Sequence, residues 1–161
     1  MTDEQINILK KWRSRYKRAQ LSHSYTAVRY RLLDLILGAL LIVLTTASAI
    51  LIFADLCKFE FLSPSVGIAA ALLSYLQTFL RYYEKSEAHR SVERQYGALK
   101  KEIEYLLVFP PNESDLARRI DEMRRREVEI SREAPHSIPS CWERAKKETA
   151  KENEAYSVRQ N

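Results

Sequence analysis

Two long apolar segments interrupt an otherwise charged sequence. They extend from Leu35 to Ala54 and from Phe61 to Leu80, and neither contains Asp, Glu, Lys or Arg. A helix of about 20 residues spans the roughly 30 Å apolar layer of a bilayer. The connector from Asp55 to Glu60 is too short to hold a domain, so the second helix must return to the side from which the first entered. The pattern predicts an all-α membrane protein built on an antiparallel two-transmembrane helical hairpin.

The two predicted transmembrane helices differ in polarity. The first is rich in Leu, Ile and Val and is expected to insert by itself. The second carries small or polar side chains on or beside one helical face, namely Gly67, Ala71, Ser74, Gln77, Thr78 and Arg81. This face is expected either to pack against the first helix or to line a water-filled path between subunits, with Arg81 at the cytoplasmic mouth. Two helices cannot enclose a pore, so the second interpretation requires a homo-oligomer.

Positive charge flanks the apolar segments but is nearly absent from the connector. The flanking basic residues are Lys10, Lys11, Arg13, Arg15, Lys17, Arg18, Arg29, Arg31, Arg81, Lys85, Arg90, Arg94, Lys100 and Lys101. Since the connector contains only Lys58, the positive-inside rule predicts a multi-pass protein with both termini in the cytoplasm. Cys57 is then outside and Cys141 inside, so the two cannot form a disulfide with each other. The charged segment before Leu35 argues against a cleaved signal peptide.

Helical periodicity continues beyond both apolar segments. Apolar residues recur at spacings of three and four before Leu35 and after Leu80, and no Gly, Pro or turn cluster separates them from the membrane segments. Each transmembrane helix is therefore expected to continue as a long cytoplasmic helix of the coiled-coil kind. The predicted boundaries are an N-terminal helix at 1–34, transmembrane helices at 35–54 and 61–80, a turn at 55–60, a continuation of the second helix at 81–109, a helix at 112–133, and a C-terminal helix at 140–161 that frays beyond about Lys146.

Capping residues indicate where the later helices begin. The prolines at 110–111 are expected to end the preceding helix. Asn112, with Asp115 three residues later, is typical of a helix N-cap. Ser140 and Glu143 match the capping-box pattern at the start of a last helix.

Two histidines are predicted to lie at the same level of the cytoplasmic helices. In an antiparallel pair, His23 and His89 fall at similar distances from their membrane segments, on apolar stripes that also contain Tyr30 and Tyr96. These four residues are the candidates for cytoplasmic gating or packing. The histidines are expected either to be buried and satisfied by a carbonyl, Tyr or Glu, or to form a pH-sensitive contact. A metal site would need further ligands, and neither a metal nor a cofactor is predicted.

Composition argues against an enzyme. The 161 residues include 26 Lys and Arg, 21 Asp and Glu and only 3 Gly, with a net charge of +5. The segments outside the membrane are short for a catalytic domain, and there is no phosphate-binding Gly-rich loop, H-E-x-x-H motif or nucleophile elbow. Acidic residues surround Arg124–Arg126, so nucleic-acid binding is not expected. The basic cluster from Lys10 to Arg18 suits contact with anionic lipid headgroups better.

Three motifs together resemble one known family. They are H-x-x-x-A-x-x-Y at His23, Ala27 and Tyr30; E-K-S-E-A-H-R-S-V-E-R-Q-Y-G-A-L-K-K-E-I-E from Glu84 to Glu104; and A-P-x-x-I-P at Ala134, Pro135, Ile138 and Pro139. With the two closely coupled spans, this pattern resembles the SLATT family. These are two-transmembrane effector domains associated with SMODS nucleotidyltransferases and SLOG sensors in bacteria. The resemblance covers roughly residues 10 to 150.

The resemblance implies a pore-forming effector of antiviral defence. Such a protein would permeabilise the bacterial inner membrane when a nucleotide signal or a neighbouring sensor is triggered, and its partner would be a sensor or nucleotidyltransferase encoded nearby. The chain contains no recognisable fused sensor, so activation is expected to come from that partner or from a signal bound by the cytoplasmic helices. The alternative is a nonconducting membrane anchor or scaffold that recruits a partner through its cytoplasmic coiled coil.

Overall fold

The computed structural model describes residues 1–53 and 61–160, apart from the side chains of residues 62, 63 and 155–160. Within this part of the chain the helices are α1 (Asp3–Phe53), α2 (Leu62–Leu80), α3 (Tyr82–Val108), α4 (Glu113–Glu133) and α5 (Pro139–Gln160), and no other regular element occurs. The predicted all-α class is confirmed. The predicted turn at 55–60, with Cys57 and Lys58, lies outside the described residues, as do Ala54 and Asn161.

Helix α1 runs without a break from the charged N-terminal segment into the first apolar segment. Its 51 residues follow one another in helical conformation from Asp3 to Phe53. The prediction that the first apolar helix continues a long preceding helix is therefore confirmed. The absence of Gly, Pro and turn clusters at the junction was the signal that mattered.

The second apolar helix does not continue directly into α3, so the predicted continuation at 81–109 is wrong at its first residue. Arg81 ends α2 in the left-handed conformation, with φ 49° and ψ 43°, and its N–H donates to the Gln77 carbonyl. This conformation costs a residue with a side chain about 1–2 kcal/mol. Tertiary contacts offset that cost, because Tyr82 stacks on Tyr30 directly after the break, with ring centroids 5.8 Å apart.

The starts of α4 and α5 test the predicted caps. The Asn112 side chain accepts a hydrogen bond from the Asp115 N–H (2.9 Å), so the predicted N-cap is confirmed. Helix α5 begins at Pro139, and Ser140 therefore lies inside the helix rather than at its N-cap. Proline suits the first helical position because its missing N–H would have had no intrahelical acceptor. At this end of the helix, the Cys141 N–H donates a hydrogen bond to the carbonyl of Ile138 (2.9 Å).

The C-terminal segment is helical, and it makes packed contacts as far as Glu152, beyond the point near Lys146 where fraying was predicted to begin. Helix α5 continues to Gln160. Cys141, Ala145 and Thr149, spaced four apart, are at most 4% exposed. Glu152 forms an ion pair with Lys17 of α1. The packed stripe consists of small and weakly polar side chains, so the sequence did not show it as a hydrophobic repeat.

The structure divides into two compact units. The first comprises Met1–Ala27 and Glu87–Asn161, and the second comprises Val28–Ser86. The first unit has a buried core drawn from α1, α3 and α4: Leu9, Tyr16, Val92, Tyr96, Leu99, Ile103, Leu106, Leu116, Met123 and Ile130. On α3 the core residues alternate by three and four, which is the spacing of a coiled-coil seam. The cytoplasmic stripes predicted from the sequence therefore correspond to this core.

The second unit is an antiparallel helical hairpin formed by α2 and the apolar half of α1. A side chain added at Gly38 would lie 3.7 Å from Nε2 of Gln77, and one added at Gly67 would lie 3.5 Å from Oγ of Ser48. Residues further along α1 therefore lie opposite residues that come earlier in α2. The antiparallel arrangement is confirmed for these helices, and glycine at both positions allows the close approach.

Apolar side chains cover most of the surface of this second unit. Ala70 is buried, whereas Phe53, Phe61 and Phe79 are more than 80% exposed, and many Leu, Ile and Val side chains are more than half exposed. Among the helices the structure describes, α1 contains a stretch long and apolar enough to cross a membrane, with a mean hydropathy of 2.7, and no part of that stretch is buried inside the structure. Water-soluble surfaces seldom carry contiguous apolar areas of this kind.

The core of the first unit can be tested at Ile103, which is fully buried. The Ile103→Ala variant is expected to lower the free energy of unfolding by about 2–5 kcal/mol, because it removes apolar contacts and leaves a cavity. Val128→Ala, at a 47% exposed position, serves as the control and should change it by less than about 0.5 kcal/mol. Denaturant titration of the full chain in detergent, followed by tryptophan fluorescence, reports on this unit because Trp12 and Trp142 both belong to it. Equal losses for the two variants would contradict the assigned core.

Candidate functional site

His23 of α1 and His89 of α3 meet inside the first unit, as predicted from their positions in the sequence. Their Nδ1 atoms are 2.9 Å apart and their ring centroids 5.1 Å apart. His23 is 8% exposed and His89 is 2% exposed. The neighbours predicted to satisfy a buried pair were a carbonyl, Tyr or Glu, whereas the structure shows that the two rings bond to each other.

A hydrogen bond between two Nδ1 atoms requires the rings to be in different states. In the neutral pair one ring carries its proton on Nδ1 and donates, while the other carries its proton on Nε2 and accepts. One added proton still leaves a donor facing an acceptor. A second added proton places two N–H donors and two positive charges opposite each other, so full protonation breaks the contact.

Burial keeps this pair uncharged near neutral pH. Removal from water and the neighbouring His89 lower the pKa of His23 from 6.5 to about 4. Burial also lowers the pKa of His89. The contact between α1 and α3 is therefore a neutral hydrogen bond at pH 7, and acid weakens it.

Tyr96 packs beside the histidine pair, whereas Tyr30 does not. The Tyr96 ring stacks against His23 with centroids 6.2 Å apart, and its hydroxyl lies 3.2 Å from Oγ of Ser131 on α4. Tyr30 belongs to the second unit, where it stacks on Tyr82. Of the four predicted cytoplasmic residues, the structure thus brings together His23, His89 and Tyr96.

Thr26 connects the Ala134–Pro139 loop to α1, a contact that the sequence did not indicate. The N–H of Ile138 donates to Oγ1 of Thr26 (3.2 Å), and that hydroxyl donates to the carbonyl of Ser22 (2.9 Å). Thr26 and Ser22 are fully buried. The loop and the histidine contact therefore both involve the same two turns of α1.

Tyr16 and Tyr25 form two further polar contacts that sequence reasoning missed. The Tyr16 hydroxyl donates to Oε2 of Glu127 (3.0 Å), and Glu127 also pairs with Arg15. Burial and the Glu127 carboxylate raise the pKa of Tyr16 well above its ordinary value. Tyr25 donates to Glu148 of α5. In the sequence the two glutamates look like ordinary solvent-facing helix residues.

The residues predicted to share one face of the second apolar helix have different surroundings in the structure. Gly67 and Gln77 are partly buried and approach α1 at Ser48 and Gly38. For these two residues, packing against the first helix is confirmed.

Ala71, Ser74 and Thr78 are exposed, so for these residues both predicted roles, packing and lining a path between subunits, stay predictions. Oγ1 of Thr78 donates to the carbonyl of Ser74 (3.0 Å) within the helix. Arg81 pairs with Glu84 at the end of α2, with Nη2 and Oε1 2.6 Å apart. These residues add small and polar groups to an exposed hairpin surface that also carries Thr45, Thr46, Ser65 and many large apolar side chains.

Metal binding finds no geometric support in the described part of the chain. There, no three His, Cys, Asp or Glu side chains come close enough together to hold an ion.

No protein-family model, no curated protein and no solved structure matches this chain. The SLATT resemblance therefore stays a prediction that rests on the sequence motifs alone.

The histidine pair predicts a specific dependence of stability on pH. Because the folded-state pKa of His23 lies near 4 and below its ordinary value of 6.5, the unfolded chain binds more protons between these two values. The stability that depends on the neutral pair is thus fully present above pH 6.5 and is lost as the pH falls towards 4. Between pH 7 and pH 4.5, the native chain should lose at least roughly 2 kcal/mol more of its unfolding free energy than His23→Leu/His89→Leu.

Denaturant titrations at the two pH values, followed by tryptophan fluorescence, make this comparison. His136→Gln is the control, because His136 is exposed, and it should keep the native pH dependence. If the double variant lost as much stability in acid as the native chain, the histidine pair would not be the source of the effect.

Proposed function

We propose that the protein is an oligomeric two-transmembrane effector that permeabilises the bacterial inner membrane. In this proposal the second unit crosses the bilayer as a hairpin, and both termini lie in the cytoplasm. The first unit holds the assembly together and receives the activating signal. The SLATT resemblance supports a role in antiviral defence, with a signal from a nearby sensor or nucleotidyltransferase.

The surface of the second unit supports its location in a bilayer. Burying apolar surface is worth about 25 cal/mol per Å², and this unit leaves large side chains such as Phe53, Ile68 and Phe79 more than 60% exposed. Contact with lipid tails removes this apolar surface from water, and the hairpin itself need not change. The basic residues before α1 turns apolar and after α2 favour the cytoplasmic side for both ends.

The single observation that carries the conduction proposal is the exposed strip of Ala71, Ser74 and Thr78. Within the described residues, the Ser74 hydroxyl has no hydrogen-bond partner, and the Thr78 hydroxyl bonds only to its own helix. A hydroxyl without a partner is costly against lipid tails. Water or another subunit can supply that partner, so the strip favours an assembly in which it faces the lumen or a neighbouring copy.

One observation favours the scaffold alternative. At the end of α3, Tyr105, Val108 and Phe109 are more than half exposed, and the rings of Tyr105 and Phe109 lie 5.2 Å apart. An exposed aromatic cluster on a water-facing helix is typical of a protein contact. A scaffold needs no lumen, so this alternative predicts that the polar strip can be made apolar without loss of partner recruitment.

The Ser74→Leu/Thr78→Leu variant separates the two functions. In bacteria that overproduce the native chain, we expect loss of membrane potential, measured with a voltage-sensitive dye. The double variant should abolish this loss, because an apolar strip no longer holds water, while the amount of protein in the membrane stays the same. Gln77 is left unchanged, since it packs against Gly38 and its substitution would disturb the hairpin itself.

Ser65→Leu is the matched control, because Ser65 is exposed on the opposite side of α2 and its hydroxyl also bonds to its own helix. It should depolarise the cells as the native chain does. Unchanged depolarisation by Ser74→Leu/Thr78→Leu would contradict a lumen along this strip. Failure of the native chain to depolarise cells at the same membrane level would contradict conduction by the overproduced chain without its activating signal.

A further inference from the structure

A cleft with a volume of about 580 Å³ lies between α1 and α5 in the first unit. Its charged lining residues are Lys10, Lys11, Arg15 and Arg18, and Asn153 contributes to it from α5. The volume falls within the range of small-molecule sites. No acidic residue lines it among the residues the structure describes.

Three of the six basic residues from Lys10 to Arg18 are balanced by carboxylates. Arg13 pairs with Glu104 and Lys17 pairs with Glu152, and neither Arg13 nor Lys17 lines the cleft. The cleft residue Arg15 pairs with Glu127.

By contrast, Lys10, Lys11 and Arg18 form no ion pair within the described chain. Three unneutralised cations therefore stand together on one face of α1. Such a concentration of charge attracts anions into the cleft and raises their local concentration.

Arg18 contributes its guanidinium group to the cleft lining, and one atom of that group has no hydrogen-bond partner in the described chain. Its Nε atom is buried and has no partner, although an unsatisfied buried donor costs about 1–3 kcal/mol. The Lys and Arg side chains of the cleft can only donate hydrogen bonds. A ligand that satisfies them must carry several acceptor oxygens.

One hydrogen bond joins α1 and α5 at the edge of the cleft. Nδ2 of Asn153 donates to Oγ of Ser14 (2.9 Å), which fixes the two helices to each other at its edge. None of the described lining residues is aromatic. Recognition would therefore depend on charge and oxygen acceptors, without stacking of a base.

We propose that this cleft binds an anion that carries two or more phosphate groups. A single phosphate would neutralise only part of the charge of Lys10, Lys11 and Arg18, whereas a chain or ring of phosphates can contact all three. A free polyphosphate and the headgroup of a phosphorylated inositol lipid share this chemistry. The inference goes beyond the proposed function and does not depend on it, because binding is measured without any ion flux.

Binding can be tested on the full chain in phosphatidylcholine nanodiscs. In the first arm sodium tripolyphosphate is added in solution, and in the second the nanodisc contains phosphatidylinositol bisphosphate without free phosphate. A ligand that binds the folded state raises the Tm of that state. The Tm is followed by tryptophan fluorescence, which reports on the first unit and to which Trp142 beside Arg18 contributes.

Lys10→Gln/Lys11→Gln is the test variant, since both side chains are exposed and their removal should leave the fold intact. Lys100→Gln/Lys101→Gln is the matched control, because it removes the same charge from α3, away from the cleft. We expect the concentration that gives a half-maximal rise in Tm to increase about tenfold or more in the test variant and to stay unchanged in the control.

The outcomes separate the sources of the anion and can overturn the proposal. A cleft-dependent rise in the first arm assigns a soluble polyphosphate, and one confined to the second arm assigns a lipid headgroup. No rise in either arm contradicts the site. Equal weakening in the test and control variants would show attraction by net charge alone, which also contradicts it.

Discussion

Two helices can bury only the strip along which they touch, and this constraint governs the second unit. Its contact strip is narrow and uses Gly38 and Gly67 for close approach, while the large apolar side chains point elsewhere and stay exposed. Water is a poor solvent for that surface, whereas a bilayer is a good one. The proposed membrane location follows because the hairpin has too little interior to bury its large apolar side chains. The same shortage makes the exposed Ser74 hydroxyl informative, because no group of the hairpin within the described residues forms a hydrogen bond with it.

The first unit, by contrast, has a buried interior. Segments of α1, α3 and α4 enclose a core, and two polar contacts join these helices: Tyr16 with Glu127, and His23 with His89. The neutral histidine pair depends on burial, so any rearrangement that admits water between α1 and α3 would also let the rings take up protons. The packing of α1 against α3 is therefore linked to the protonation of the two histidines. In the proposed function, that linkage lets a change in the first unit act on α1, the helix that continues into the apolar segment.

Much of the fold could be predicted because its signals extend over many residues. The charge-free segments and the alternation of threes and fours predicted long helices, and antiparallel pairing then placed His23 opposite His89. The break at Arg81 could not be predicted, since no Gly or Pro marks it and the compensating Tyr30–Tyr82 stack is a tertiary contact. The packing of α5 was missed because small residues such as Ala145 and Thr149 carry little hydrophobic signal, although they are fully buried.

The candidate membrane face shows a different limit of sequence reasoning. Helical periodicity gives the angle between two side chains but not the direction in which the neighbouring helix lies. Gln77 and Ser74 are only about 60° apart on the helix, yet Gln77 is partly buried beside Gly38 and Ser74 is exposed.

Labelling of cysteines in intact bacteria with a membrane-impermeant maleimide tests the membrane hairpin most directly. Cys141 is buried, so its silence would not show on which side it lies; Lys147→Cys, at an exposed position of α5, is used instead in a chain with Cys57→Ser. The account predicts labelling of Cys57 in intact cells and labelling of Lys147→Cys only after the membrane is permeabilised. Labelling of both positions in permeabilised cells alone, or the reverse of the predicted pattern, would contradict a hairpin that crosses the membrane with both ends in the cytoplasm.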